Sequence, residues 1–308
     1  HVRACQALWT RLLDAGEIYL GSYAGWYAVR DEAFYGENEL TTTADGRRFA
    51  PSGAEAEWVE EPSYFFRLSA WRDRLLAFYR ANPDFIGPET RRNEVISFVS
   101  GGLKDLSVSR TTFAWGVPVP GDSAHIMYVW LDALTNYITA AGYPDTDSAD
   151  FKTFWPASVH MVGKDIIRFH AVYWPAFLMA AGIAPPQRVY AHGWLLNRGE
   201  KMSKSVGNVL RAQDLVDRYG LDPVRYYLLR EVPFGSDGYI SHETMAGRIN
   251  SDLANDLGNL AQRVLSMTGK NCGGRVPQPG PYTAADTTLL AAARALLPRL
   301  RAEYRQQA

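Results

Sequence analysis

The stretch "RGEKMSKSVGN", residues 198–208, sets Lys201 and Lys204 on either side of Met202-Ser203, with glycines at 199 and 207. No acidic residue follows the two lysines closely, so the segment does not read as a salt-bridged helix face. Ammonium groups on flexible stems act as movable point charges on phosphates. Glycine, asparagine and serine mark the segment as a loop. A second candidate is Gly163-Lys164-Asp165, at the junction of a strand pattern and a helix pattern. Glycine there lets backbone come close to a ligand, a helix start welcomes phosphate, and a carboxylate can hold a ribose hydroxyl. No G-x-x-x-x-G-K-[ST] occurs anywhere, so a P-loop is excluded as the nucleotide device. Taken alone, the lysine pair also reads as a solvated basic loop and the tripeptide as a plain βα turn.

The elements that must hold these residues follow from periodicity. "HVRACQALWTRLLDAG" is an amphipathic helix with a Gly16 stop. "IYLGSYAGWYAVRDEAFY" has strand composition, and "NELTTTADGRRFAPSGAEAE" reads as a loop. The spacing predicts a helix over 62–85 and another over about 88–103. From about residue 124, strand and helix patterns alternate through "HIMYVWLDALTNYITAAGY", "ASVHMVGKDIIRFHAVYWPAFLMAAG" and "QRVYAHGWLL". Such alternation is the signature of βα units around a parallel sheet, with ligands at the strand ends. Past 208 the chain turns helical, with a linker at "KNCGGRVPQPGP" and a last helix beyond it.

Of the 308 residues, 47% are hydrophobic and 21% charged, an ordinary soluble globular composition with room for two or three compact units. The net charge of −1 supplies no bulk attraction to nucleic acid, so any RNA contact must use local patches. Cys5 and Cys272 are isolated, which implies neither a disulfide framework nor a cysteine zinc site and makes a reducing cytoplasm the default. No apolar run is long enough to span a bilayer, and no membrane partner is expected.

"KMSKS" matches, unaltered, the second signature of class I aminoacyl-tRNA synthetases. With "GWYAVRDEAFY", "EPSYFFRLSAWRDRLLAFY", "YVWLDALTNY", "VGKDIIRFHAVYWPAFLMAAG" and "AHGWLLNRGEKMSKSVGN", the chain resembles the methionyl-tRNA synthetase family, bacterial type, from residue 1 to about 270. The resemblance implies an α/β fold. It comprises the end of the first half of a Rossmann-like catalytic fold (1–16), a connective insertion (17–105) and the second half (106–196). The signature loop and stem-contact region (197–245) and a helical anticodon-binding domain (246–308) follow. It implies ligation of L-methionine to its tRNA, initiator and elongator, through a methionyl-adenylate made from ATP with Mg2+; DNA is not an expected partner.

Residue by residue, the resemblance makes Lys204 the essential lysine, supported by Lys201 and Ser203, with Arg110 in "LSVSR" a further activation residue. Gly163 and Asp165 would meet the ribose. His192, Gly193, Trp194 and the backbone of Leu195 would border adenine and phosphates. Methionine would lie against Trp130, Ala133, Tyr137, Ile166 and His170. Trp130, Ala133 and Tyr137 fall at i, i+3, i+7, and Ile166 and His170 at i, i+4, so each set shares a helix face. Aromatic walls suit a polarisable thioether. By spacing alone both stripes also read as plain core. Asn259 and Arg263, four apart, would read the anticodon by edge and stacking contacts, with Leu253, Leu257, Leu260 and Val264 facing the bundle; the bland alternative is an ordinary polar helix face.

Three departures from the family stand out. Its His-Ile-Gly-His signature is absent, and the chain is expected to begin inside the catalytic domain. Ala28 stands where relatives carry a zinc-binding cysteine, so no zinc is expected. Leu134 replaces a proline, with no expected effect on chemistry. A synthetase for leucine, isoleucine or valine is the rival within the class, although 308 residues leave little room for its editing insertion. A non-catalytic tRNA-binding relative is the rival outside it.

Segment 17–65 contains neither cysteine nor histidine, whereas structural zinc takes four ligands that are mostly thiolate or imidazole. Elemental analysis of protein purified without chelator is therefore expected to find no stoichiometric zinc; one zinc per chain would overturn this.

Overall fold

The computed structural model describes residues 1–31, 33–197, 199–202 and 207–307, with the side chains of Tyr23, Ala33, Phe34 and Asn38 left aside. The chain divides into two compact units, His1–Ala191 and His192–Ala308.

The first unit opens with helix α1 (Val2–Asp14), closed by Gly16 at φ +73°. Strand β1 (Ile18–Ala28) then pairs antiparallel with β5 (Glu55–Phe66), from Ile18 opposite Phe66 to Tyr27 opposite Glu57. The short strands β2 (Ala33–Tyr35), β3 (Thr41–Thr42) and β4 (Arg48–Phe49) complete the order β2-β1-β5-β4-β3. The segment expected to be a loop thus contains a small hairpin. Its tip is packed by Ala28, Ala50, Ala54 and Ala56 under Trp26, Tyr35 and Leu40. Trp26 meets Trp58 edge to face at 5.4 Å, and the Arg48 guanidinium sits 4.2 Å from the Trp26 ring.

The helix expected over 62–85 is corrected. Residues 62–66 finish β5, a 3-10 turn covers Leu68–Trp71, and helix α2 runs only over Arg72–Ala81. The aromatics Tyr64, Phe65 and Phe66 fit a helical period, but pairing with β1 outweighs local spacing.

Strand β6 (Ile86–Gly87) and helix α3 (Glu89–Ser100) follow. Next come β7 (Leu106–Ser107), β8 (Ser109–Arg110), β9 (Pro118–Val119) and β10 (Asp122–Met127). The strand expected to open the alternating region at about 124 does not join a parallel sheet; β10 lies antiparallel to both β8 and β9. Helix α4 (Val129–Ala140) and helix α5 (Ala149–Phe154) lead to β11 (His160–Gly163). A 3-10 turn, a wide π turn over Phe169–Tyr173 and helix α6 (Trp174–Ala180) come next, then β12 (Val189–His192). The sheet order is β11-β12-β6, with β12 parallel to β6, so Ile86–Gly87 from segment 17–105 builds this sheet too. Trp9, Trp71, Trp174, Tyr79, Phe66 and Phe177 fill the core beneath it.

In the second unit β13 (Leu195–Asn197) pairs antiparallel with β14 (Glu200–Lys201), on one side. On the other side it runs parallel to β15 (Gly238–Ile240). Helices α7 (Ala212–Tyr219) and α8 (Leu221–Glu231) lie between them in sequence. Helix α9 (His242–Arg248) continues through a π segment into α10 (Asn259–Asn271), and α11 (Ala284–Gln306) ends the unit. Of the apolar stripe expected to face the bundle, Leu253 is half-buried, whereas Leu257 on the π segment and Leu260 and Val264 on α10 are exposed, as are Leu289, Leu296 and Leu297 on α11. An apolar stripe is buried only where another face meets it, and no described element covers this one. No described helix is long and apolar enough to cross a membrane.

Tyr79 on α2 is 1% exposed, and its hydroxyl donates to the Ala171 carbonyl at 2.6 Å, tying the helix to the π turn. Tyr79→Phe removes only that donor and should lower unfolding free energy by about 1–2 kcal/mol in chemical denaturation. An unchanged midpoint and slope would show that the bond contributes nothing.

Candidate active site

The first group of candidate residues converges on the faces of α4 and the π turn. Tyr137 Oη and His170 Nε2 are 2.7 Å apart, and His170 Nδ1 is 2.9 Å from the Ile166 carbonyl. The carbonyl can only accept, so Nδ1 carries the proton. Burial lowers the His170 pKa and keeps the ring neutral, so Nε2 accepts from the Tyr137 hydroxyl. Trp130 stacks face to face on Phe169, with centroids 3.4 Å apart and planes 12° off parallel. Ile166 is half-buried and Ala133 is exposed on the same helix face as Trp130 and Tyr137. Tyr137, His170, Ile166 and Trp130 are thus linked across α4, the 3-10 turn and the π turn by two hydrogen bonds and the ring stack, and Ala133 shares the α4 face.

Two participants escaped sequence reasoning. Phe169 falls at i+3 from Ile166, a spacing that could have revealed it. His160 on β11 is 5% exposed and stacks on Tyr137 at 4.0 Å, and its Nε2 has no hydrogen-bond partner among the described residues. A cavity of about 510 Å3 lies against Tyr137, His160, Trp155 and Met161.

Asp165 stands exposed on the 3-10 turn that follows β11. A Cβ on Gly163 would lie 2.6 Å from Asp165 Oδ1, so the glycine leaves that carboxylate its room. Arg110 is buried instead of reaching outward. Its guanidinium donates to Ser107 Oγ at 2.5 Å and to the Ser109 carbonyl at 2.7 Å, lies 3.7 Å from Glu61, and sits over Tyr128 at 3.9 Å.

In the second unit, His192 Nδ1 donates to the Gly193 carbonyl at 2.8 Å. A Cβ on Gly193 would fall 2.0 Å from the Ser236 carbonyl oxygen, an approach that only glycine permits. Trp194 is half-buried, Leu195 is on β13, and Lys201 Nζ rests 4.2 Å from the Trp194 ring centroid. The base of the lysine loop is bracketed: Asn197 Nδ2 donates to the Asn208 carbonyl at 2.7 Å, and Asn208 Nδ2 to the Lys201 carbonyl at 3.2 Å. Met202 packs on the cluster of Leu215, Val224, Tyr227, Ile240 and Met245. Ser203 and Lys204 lie outside the described residues. Asn259 and Arg263 are both exposed on α10.

The family model for tRNA synthetases class I (M) matches residues 1–265. The chain belongs to that family. It is 62% identical over 308 residues to the methionine–tRNA ligase of Brucella suis biovar 1 (strain 1330), covering 100% of this chain and 60% of that protein. It is 64% identical over 290 residues to that of Mesorhizobium japonicum, covering 94% of this chain and 56% of the relative. Among solved structures, Mycobacterium tuberculosis methionyl-tRNA synthetase in complex with methionyl-adenylate superposes with a TM-score of 0.91 at 62% identity. That match covers 100% of this chain and 60% of the other. This class I (M) chain thus spans about 60% of the length of the curated relatives it matches.

Burial, with a smaller contribution from neighbouring His170, pushes His160 down to about 4 from an ordinary 6.5. The unfolded chain takes up a proton near 6.5 that the folded one refuses until about 4, so the contribution of neutral His160 is complete above 6.5 and is lost as pH falls through that window. Denaturation curves from about pH 7 to about pH 4 should show falling stability, with a shallower fall in His160→Phe. Identical slopes for both proteins would contradict the assignment.

Proposed function

We propose that the protein carrying this chain activates L-methionine with MgATP and transfers the methionyl group to methionine tRNA, initiator and elongator, in the cytoplasm. The observation that carries this reading is the Tyr137–His170 hydrogen bond, set between the Trp130–Phe169 stack and Ile166. An apolar wall with a small neutral polar end suits a thioether side chain, which is polarisable and a weak acceptor. Kinship with proteins named methionine–tRNA ligase supports the same reading.

The chemistry requires no protein nucleophile. The methionine carboxylate oxygen attacks the α-phosphorus of ATP in line, the bond to the bridging oxygen breaks, and pyrophosphate leaves. The terminal adenosine hydroxyl of the tRNA then attacks the carbonyl of the adenylate and AMP leaves. The protein's part is positioning and neutralising phosphate charge. In this reading Gly163 and Asp165 meet the ribose, and His192, Gly193, Trp194 and the Leu195 backbone border the adenine and phosphates. Lys204, with Lys201, Ser203 and Arg110, stabilises the charge that develops on the phosphates. Arg110 would first have to exchange its contacts with Ser107 and Glu61 for that role. Segments 1–16 and 106–196 form the Rossmann-like catalytic fold, with 17–105 a zinc-free connection that also lends Ile86–Gly87 to its sheet. Residues 197–245 hold the signature loop and stem contacts. Residues 246–308 begin the anticodon-binding bundle, where Asn259 and Arg263 read the anticodon.

The test is methionine-dependent ATP–pyrophosphate exchange by the complete protein. Lys204→Ala should slow exchange about a hundredfold or more, a loss of roughly 3 kcal/mol of transition-state stabilisation, with methionine binding in the absence of ATP little changed. Exchange supported better by leucine or isoleucine than by methionine would refute the substrate. A Lys204→Ala rate within a few-fold of wild type would refute the role of the loop.

A further inference from the structure

We propose that Asp237 is a positioning residue of the nucleotide-binding turn, holding the backbone of Gly193-Trp194 where it meets ATP. The inference deepens the activity proposed above and rests on it.

Trp194 is gripped from both sides by consecutive residues. Its N–H donates to Asp237 Oδ1 at 2.9 Å, and its carbonyl accepts from the Gly238 N–H at 2.8 Å. The second bond is the first rung of the parallel β13–β15 ladder, which continues through Leu195 opposite Gly238 and Leu196 opposite Tyr239. The first bond is different, because a side chain supplies the acceptor. It fixes the N-terminal side of the turn, before the ladder begins.

The close approach at Gly193 makes this bond matter. With the Ser236 carbonyl directly under Gly193, the two backbones touch where no side chain can separate them. The turn is therefore seated on residues 236–238, and those residues are themselves set close to Val232, which a Cβ on Gly238 would meet at 2.6 Å. Trp194 in turn supplies the ring beneath Lys201 Nζ. A shift of the Trp194 backbone therefore moves both the adenine-side wall and the resting place of a signature lysine. Removing the carboxylate leaves the ladder intact, so the turn loosens without loss of the fold. The candidate methionine residues lie at 130–170, in the other compact unit, and should not respond.

The test is pyrophosphate exchange by the complete protein at varied ATP and varied methionine. Asp237→Ala should raise the KM for ATP about tenfold and leave the KM for methionine within about twofold. Asp237→Asn keeps an oxygen acceptor at the same reach and should restore the KM for ATP to within about twofold. Asp237→Glu keeps the charge but displaces the acceptor, and should behave like the alanine variant. It also serves if alanine does not fold. An ATP KM unchanged in both Ala and Glu variants would overturn the proposal. So would a parallel rise for ATP and methionine, or failure of asparagine to rescue. Absence of methionine-dependent exchange in the wild type would instead overturn the activity itself.

Discussion

The hydrogen bond between Tyr137 and His170 is the constraint on which the candidate substrate wall depends. It joins α4 to the π turn, two elements that share no strand and meet only through side chains. A single neutral bond is a modest force, of about 1 kcal/mol net, but it fixes the orientation of both side chains. The reason is geometric. His170 has its Nδ1 proton committed to the Ile166 carbonyl, which leaves one lone pair at Nε2 and one direction from which Tyr137 can reach it. The wide π turn from Phe169 to Tyr173 moves the register of the following helix by one residue. It brings Phe169 under Trp130 and His170 under Tyr137 together. π insertions are rare and concentrate at functional sites because they re-aim side chains at a cost in backbone geometry.

Much of this was legible in the residues. Helical spacing placed Trp130, Ala133 and Tyr137 on one face, because 3.6-residue periodicity is a local property. Gly16 closing α1 was equally local. What local spacing could not convey was pairing at a distance. The run Tyr64-Phe65-Phe66 is apolar at both helical and strand spacings. Its choice was made by partners 44 to 48 positions earlier, Ile18, Tyr19 and Leu20. The antiparallel setting of β10 was hidden for the same reason. Its partners Arg110 and Pro118 belong to strands of two residues each, too short to carry a pattern.

The site shows the same division. Motif spacing named candidates, but not the residues that support them from behind. His160 carries no signal beyond being a histidine in an apolar strand, and Asp237 sits in a turn-rich run that reads only as a loop. Arg110 is the reverse case. Its motif points outward to chemistry, but the folded chain turns its guanidinium toward Ser107, Glu61 and the face of Tyr128. Hydrogen bonds from the buried guanidinium to Ser107 and the Ser109 carbonyl, with Glu61 nearby, offset the cost of desolvating it.

If the site takes methionine as proposed, the two histidines also bear on selectivity. His160 and His170 have ring centroids 6.3 Å apart, and burial depresses the pKa of both. Two imidazolium ions at that separation in an apolar setting would repel each other and attract anions. Two neutral rings instead form a polarisable wall that can exchange one hydrogen bond. A pocket of this kind gains little by admitting a charged side chain, which would lose its hydration without finding a counter-charge. It discriminates less sharply among apolar side chains of similar size, where a methylene is worth only about 1–3 kcal/mol. On the proposed reading shape would have to supply that remaining selectivity, and the side chains that the Trp130–Phe169 stack and the Tyr137–His170 bond hold in place would set it.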